Sequence, residues 1–337
     1  MTKKTFLNAL ISPLTGICLC VLIILFYAQN SREALTTLFT GCLSNRYYLG
    51  TALNTAAFLM ISGIGASLSL KGGNLNLGGE GQIYLGGYIA CLILTSPVLL
   101  PAPLKITLAL LFSTFSGAFL ALISAFLKEK RGAEVLLTTF LASEALKPFI
   151  DGLITNARHT QNQNLLALPY IAENLRSPQI LYPSPLSINI FIAIILCILC
   201  FLFLEKTFTG KKLTVWGKAP EFALYSGYSS KKVTYFTLTV SGALHALTGF
   251  LCVVGTYYTC HKGFANGMGW ASLSASLIVS ANPIALLFVS LVLGWLYTSA
   301  DLVGLTQGFS FDISGIIQGF ILFTIAVPFI KQGGSKK

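Results

Sequence analysis

The chain has 337 residues, of which 54% are hydrophobic and only 10% charged, with a net charge of +11. Soluble domains carry roughly 25% charged residues, so the composition speaks against a soluble enzyme or binding module; a bilayer takes up the apolar excess by covering the outer faces of helices. The basic balance does not point to nucleic acid, because no patch of interleaved basic and aromatic residues occurs in the loops that hold the lysines.

In chain order, apolar runs of helix length recur ten times, over residues 7–27, 49–70, 82–99, 106–127, 134–154, 185–204, 233–255, 268–281, 284–300 and 314–330. At about 1.5 Å per residue each crosses ~30 Å of hydrocarbon, except the eighth, which must be extended or tilted. The first run follows Lys3 and Lys4 in the manner of a signal peptide, but no small-residue cleavage site closes it. It reads as an uncleaved span. Ten spans put both termini on one side. Lysine and arginine then divide fifteen to six between the faces, with Lys147 inside a span. The richer face holds both termini and is the cytoplasmic one by the positive-inside rule. The expectation is an all-α polytopic membrane protein of about ten transmembrane helices, one domain over residues 1–337, with both termini cytoplasmic. Two connections are long: an outer loop at 155–184 and a cytoplasmic loop at 205–232 that carries six lysines. Among the eight cysteines, Cys197 and Cys200 form a Cys-x-x-Cys pair flanked by Ile-Leu. With no second Cys or His pair to complete a site, this is a helix stripe, and no metal is expected.

The second and third runs are joined by Lys71-Gly-Gly-Asn74-Leu-Asn76-Leu-Gly-Gly-Glu80-Gly-Gln82, with five glycines among polar side chains. This is either a cytoplasmic turn or a broken helix beside a pathway, since non-helical backbone at membrane depth survives only inside protein or along a polar cavity. A second interrupted stretch, Gly263 to Trp270 with Gly267 and Gly269, joins the seventh and eighth runs. The two occupy equivalent places in successive five-helix sets, one entering from the cytoplasmic side and the other from the outer side. That is the pattern of an inverted 5+5 repeat, and paired interruptions of this kind point to a transporter's central pathway. Asn54, Asn74, Asn76, Glu80, Gln82, Gly267 and Trp270 are the candidate pathway residues. Glu144 and Lys147, at i and i+3 on the fifth span, are a candidate intramembrane charge pair, functional or structural.

Several segments together resemble one family. Gly73 to Gln82 is similar to the Asn-Ile-Gly-Ala-Glu-Gly-Gln region of ABC importer permeases of the ribose/branched-chain amino-acid class, nearest the nucleoside-type branch. Arg131-Gly-Ala-Glu-Val135 with Thr138-Thr139 resembles the start of that family's fifth helix. Gly217-Lys-Ala-Pro-Glu-Phe-Ala-Leu-Tyr-Ser-Gly227 resembles its cytoplasmic coupling loop. Ser241-Gly-Ala-Leu244, Gly267-Met-Gly-Trp270, Asn282-Pro283 and Gln318-Gly319 fall in the family's order. Ala133 and Ala219 stand where the family has Asn.

The resemblance implies a permease without covalent chemistry and without a cofactor of its own, in the inner (cytoplasmic) membrane. Its partners would be a cytoplasmic ATP-binding-cassette ATPase that binds the ATP, a second permease copy or paralogue, and an external solute-binding protein. The chain lacks a Gly-x-x-x-x-Gly-Lys-Ser/Thr loop and so is not itself the ATPase. The implied solute is a nucleoside or similar polar heterocycle, with riboflavin or a simple sugar left open. In the basic loop, Pro220 starts a short helix with Glu221 in its first turn, and Gly227 ends it. Phe222 and Tyr225 then share one face, suited either to a groove on the ATPase or to the lipid surface. The rival readings are an ion-coupled secondary transporter, which calls for more mid-membrane carboxylates, and a membrane-embedded transferase.

Overall fold

The computed structural model describes the backbone of residues 3–157 and 165–333 and the side chains of residues 11–157 and 165–325. Arg158, Lys336 and Lys337 of the charge count lie outside these residues. The first half holds α1 (Lys3–Tyr27), α2 (Ser31–Ser44), α3 (Arg46–Lys71), α4 (Gly79–Thr95), α5 (Ala102–Arg131) and α6 (Val135–Thr155). The second holds α7 (Asn189–Lys206), α8 (Phe208–Lys218), α9 (Pro220–Tyr225), α10 (Ser230–Cys252), α11 (Met268–Ile278), α12 (Pro283–Gln307) and α13 (Ile313–Gly333). No strand forms among the described residues; there are only the isolated bridges Ala167–His261 and Gln179–Ser187.

All ten predicted runs fall on helices, but they are not equal. Five helices are long and apolar enough to cross a bilayer: α3, α5, α7, α12, and α10 with its π-helical continuation to Tyr257. The others depart for physical reasons. Helix α4 has 17 residues and α11 only 11, or about 25 and 16 Å at the helical rise. Helix α6 carries Glu144, Lys147 and Asp151. In α1 and α13 the apolar described stretches are Ile11–Tyr27 and Ile313–Ile325.

Helix α2 was not anticipated. Its signal was present: Asn30 accepts from the Glu33 backbone N–H and donates to the Glu33 carboxylate, a reciprocal capping pair three residues apart. Helix α8 was also missed, inside a stretch taken as a loop rich in lysine.

Helix α3 is the centre of the bundle. It is buried on nearly all sides from Ala56 to Ser69, as expected of a helix that is apolar all round. Helices α10, α11, α12 and α7 surround it. Helices α5 and α10 approach closely because Gly117 and Ala121 lie against Gly242 and Ala246. Such small-residue seams replace hydrophobic burial as the packing force between helices in lipid. The outer faces of α5 and α7 leave Phe112, Phe115, Phe119, Phe191, Ile195 and Leu199 exposed, a surface that acyl chains cover at no cost.

The bundle has two unlike ends. Gly217 of α8 packs on the Lys71 carbonyl and the Gly73 N–H, and Ser230 donates to Glu129 at the end of α5. One end therefore gathers α8, α9 and most lysines. At the other, the connection 165–188 is held down by backbone bonds from Leu168 to Cys260, Ile171 to Tyr258, Ser177 to Val254 and Lys262 to Leu166. Its long loop is thus a cover over the link between α10 and α11.

Candidate functional site

The site is built where the two glycine-rich stretches meet. After α3 the chain turns at Gly72 and Gly73 and runs back into the bundle without helical structure as far as Gly78. Four buried polar side chains line that backbone and the start of α4, and three of them, Asn76, Thr139 and Ser143, accept from N–H groups there. Asn74 donates to Thr237 at 3.0 Å and accepts from Lys128 at 2.6 Å. Asn76 accepts from the Gly78 N–H at 2.9 Å and donates to Gln82 and Ser241. From α6, Thr139 accepts from the Leu77 N–H and Ser143 from the Gly81 N–H, at 3.1 and 2.8 Å. Two of the orphan donors that a helix N-terminus presents, the Gly78 and Gly81 N–H groups, are thereby paired inside the protein, which favours a start for α4 at depth.

That depth is fixed by neighbours. Gly79 lies against the His245 ring, and His245 is about 22 Å along α10 from Ser230 at the helical rise. His245 in turn makes a 2.7 Å bond with Ser62, and Ser62 a 2.6 Å bond with Ser272 of α11. The other stretch enters from the opposite end. The Gly263 N–H donates to the Tyr84 hydroxyl at 3.0 Å and to Asp151 at 3.2 Å, and Tyr84 donates to the same Asp151 oxygen. Burial beside the Tyr257 and Phe264 rings lowers the affinity of His261 for a proton.

Glu80 joins the two stretches. It is 5% exposed, and its carboxylate accepts from the Gly267 N–H at 2.6 Å and the Gly269 N–H at 2.7 Å. Glu80 thus sits in the first turn of α4 while capping the first turn of α11. The two helices start at this junction and run apart: α4 proceeds alongside α10, and α11 alongside α3 in the other direction. Two N-termini, each equivalent to about +0.5 charge, face one another across one carboxylate. Gln318 of α13 donates to the Gly267 carbonyl at 2.7 Å and closes the junction from the third side.

Gly269 permits this approach, because a Cβ there would meet the backbone of Glu80 and Gly79. Gly269→Ala is expected to cost about 1–3 kcal/mol from overpacking and to break the cap as well. A lowered thermal denaturation midpoint of the purified protein in detergent would register it, and an unchanged midpoint would contradict this account of the junction.

The candidate residues therefore divide. Asn74, Asn76, Glu80 and Gln82 are buried and bonded into the junction. Asn54 is buried apart from it, donating to Thr256 at 2.9 Å. Trp270 is half-buried, edge-on to Phe140 of α6 with ring centroids 6.1 Å apart. Glu144 and Lys147 form a 2.7 Å ion pair on α6. At the lysine-rich end, Pro220 is the first residue of α9, Glu221 lies in its first turn, and Gly227 follows with φ +76°. Phe222 and Tyr225 are 64% and 94% exposed, while Ala223 holds the helix to the body. Ser143, Tyr84 and Asp151 were not picked out from the sequence, and Thr139 and Gln318 stood there only within segments that resemble the family, with no place in the site. Position on apolar helices does not distinguish a packed polar group from a bonded one.

Residues 48–326 match the family described as "Branched-chain amino acid transport system / permease component". The "Probable riboflavin import permease protein" of Treponema pallidum is 30% identical over 325 residues, which is 96% of this chain and 86% of that one. A guanosine ABC transporter permease protein of Bacillus subtilis is 23% identical, over 94% of this chain and 92% of its own. A nucleoside ABC transporter permease protein of Lactococcus lactis is 26% identical, over 98% and 94%. No solved structure matches the chain. A match across most of the chain, together with a relative at 30% identity over 96% of it, means that this protein belongs to the ABC transporter permease family that bears that description.

Proposed function

We propose that this chain is a membrane-spanning subunit of an ABC importer and carries a nucleoside or a similar heterocycle, riboflavin included, across the cytoplasmic membrane. A partner ATPase binds and hydrolyses the ATP, an external binding protein delivers the solute, and a second permease copy or paralogue completes the pathway. The solutes named for three relatives, guanosine, nucleoside and riboflavin, are planar heterocycles carrying a polyhydroxylated arm, and a fourth relative is named for glucose, so a simple sugar is the alternative solute.

The observation that carries the reading is α9. Phe222 and Tyr225 stand clear of the body at the lysine-rich end, and α8 rests through Gly217 on the turn that begins the buried stretch toward Glu80. An exposed aromatic pair linked mechanically to a buried polar junction suits a subunit that is pushed from outside. In this reading the lysine-rich end is cytoplasmic, both termini lie there, and ten crossings form an inverted 5+5 repeat with α4 and α11 as its paired half-helices. The ion-coupled reading has no support in the chemistry of the site, because its mid-depth carboxylates are engaged: Glu80 by two backbone N–H groups and Glu144 by Lys147.

Mass spectrometry of what co-purifies with the tagged protein in mild detergent tests the proposal. A stoichiometric ATP-binding-cassette subunit is expected with the wild-type chain. It should be lost from Phe222→Asp and Tyr225→Asp variants, whose folding the exposed positions leave untouched. Retention of the ATPase by both variants would remove α9 as its docking element.

A further inference from the structure

One face of α6 carries an ion pair between apolar residues. Phe140, Glu144 and Lys147 follow at i, i+4 and i+7, so they form one stripe along the helix. All three are half-buried within the chain, with the Lys147 side chain 29% and the Glu144 side chain 39% exposed. Their level is known: adjoining Ser143 is bonded to the Gly81 N–H, beside Gly79 and the midpoint of α10. An exposed ion pair at that depth does not face acyl chains, where charge is expensive; it faces a water-filled passage or protein. Trp270, the third residue of α11, meets the stripe edge-on at Phe140. The Glu80 cap, the Gln318 bond and the short seat on Gly269 fix the turn from which Trp270 projects.

We infer that Phe140, Trp270 and the Glu144–Lys147 pair form a recognition stripe for the planar heterocycle of the transported solute. This rests on the permease reading above and extends it to the solute's chemistry. Phe140 and Trp270 offer apolar ring faces to a flat ring system. The ion pair, one turn further along α6, presents an acceptor and a donor to its polar edge or to hydroxyls of the attached arm. The buried asparagines and Gln82 are committed to the junction and hold the stripe in place without touching the solute. A sugar lacking a heterocycle gains nothing from the ring pair, so the stripe discriminates by the presence of a ring.

The test uses the complete importer, with its co-purifying ATPase and binding protein, in proteoliposomes supplied with ATP. The probes are radiolabelled guanosine, riboflavin and D-ribose. Wild type is expected to import guanosine or riboflavin in preference to D-ribose. Trp270→Leu and Phe140→Leu are expected to lower uptake of the ring-bearing probe by about tenfold, within the range that stacking a base on an aromatic ring contributes. Their ATP hydrolysis should stay within about twofold of wild type, and Trp270→Phe should recover most of the uptake. Glu144→Gln and Lys147→Met should raise KM for the ring-bearing probe more than they lower its maximal rate. ATP-driven uptake of D-ribose alone by wild type would overturn the stripe and leave the permease standing. Absence of ATP-driven uptake of every probe would count against both. Leucine variants that import normally would overturn the stripe. So would variants that lose dimeric assembly, ATP hydrolysis and all uptake together, which would make this face a contact with the second permease copy.

Discussion

Glu80→Ala is expected to be the most destabilising single truncation in the buried core. Its carboxylate is the acceptor for the Gly267 and Gly269 N–H groups, and at 5% exposure it is closed off from bulk solvent that could replace it. Each orphaned buried donor costs about 1–3 kcal/mol, and two N-termini of like half-charge are left facing each other. The sum of about 2–6 kcal/mol is comparable with the entire net stability of many domains, about 5–15 kcal/mol. A substantially lower denaturation midpoint in detergent is expected, with poor recovery of folded protein. Glu80→Gln should fall between, because an amide oxygen replaces one acceptor while its NH2 confronts the other donor. Glu80→Asp should also be impaired, since the shorter arm cannot reach both donors from the same backbone position. An alanine variant as stable as wild type would show that the junction is held by packing alone.

The same junction explains which parts of the architecture were legible in the sequence. The apolar runs were readable as helices because lipid imposes a simple rule, helix length and few charges, which five of the described helices meet in full. The glycine-rich interruptions were readable because polar, glycine-dense segments between such runs are anomalous. Their meeting was not readable. It depends on α3 carrying Ser62 to Ser272 and α10 carrying His245 to Gly79, contacts more than 150 residues apart that no local pattern encodes. The asparagines and Gln82, chosen for their polarity in an apolar setting, turned out to be bonded to one another and to neighbouring hydroxyls. Polarity reveals that a group must be satisfied; it does not reveal by what. Helix α9 shows the opposite case, where Pro220, Glu221 and Gly227 set the start, charge and end of a helix using only near neighbours. Helix α8 escaped because its five polar or charged positions, the lysine pair among them, resemble any basic surface loop until Leu213 and Trp216 are seen to be buried.

Gly217→Val is expected to separate ATP hydrolysis from transport. Gly217 is the last residue but one of α8, two residues before Ala219 in the Ala219–Pro220 joint that leads into α9. A Cβ at this position would overlap the Lys71 carbonyl oxygen and stand 3.1 Å from the Gly73 nitrogen. Both obstacles are backbone atoms, so no rotamer change relieves them, and α8 must lift from the turn at Gly72–Gly73. That turn leads through Asn74 and Asn76 to Glu80, and so to the start of α11 and Trp270. Under the proposed function, a push on α9 reaches the pathway by this route, a short series of backbone contacts and hydrogen bonds. Lifting α8 breaks the first link and leaves the junction itself intact. The expected phenotype is a protein that folds, retains its ATPase partner and hydrolyses ATP, with uptake reduced on the order of tenfold or more, in keeping with displacement of about an ångström in a coupled site. Gly217→Ala should show the same split in milder form. Equal loss of ATPase binding and uptake would mean that the substitution disturbs α9 docking instead. Normal uptake by Gly217→Val would mean that the force travels by another path, for which the Glu129–Ser230 contact between α5 and α10 is the next to break.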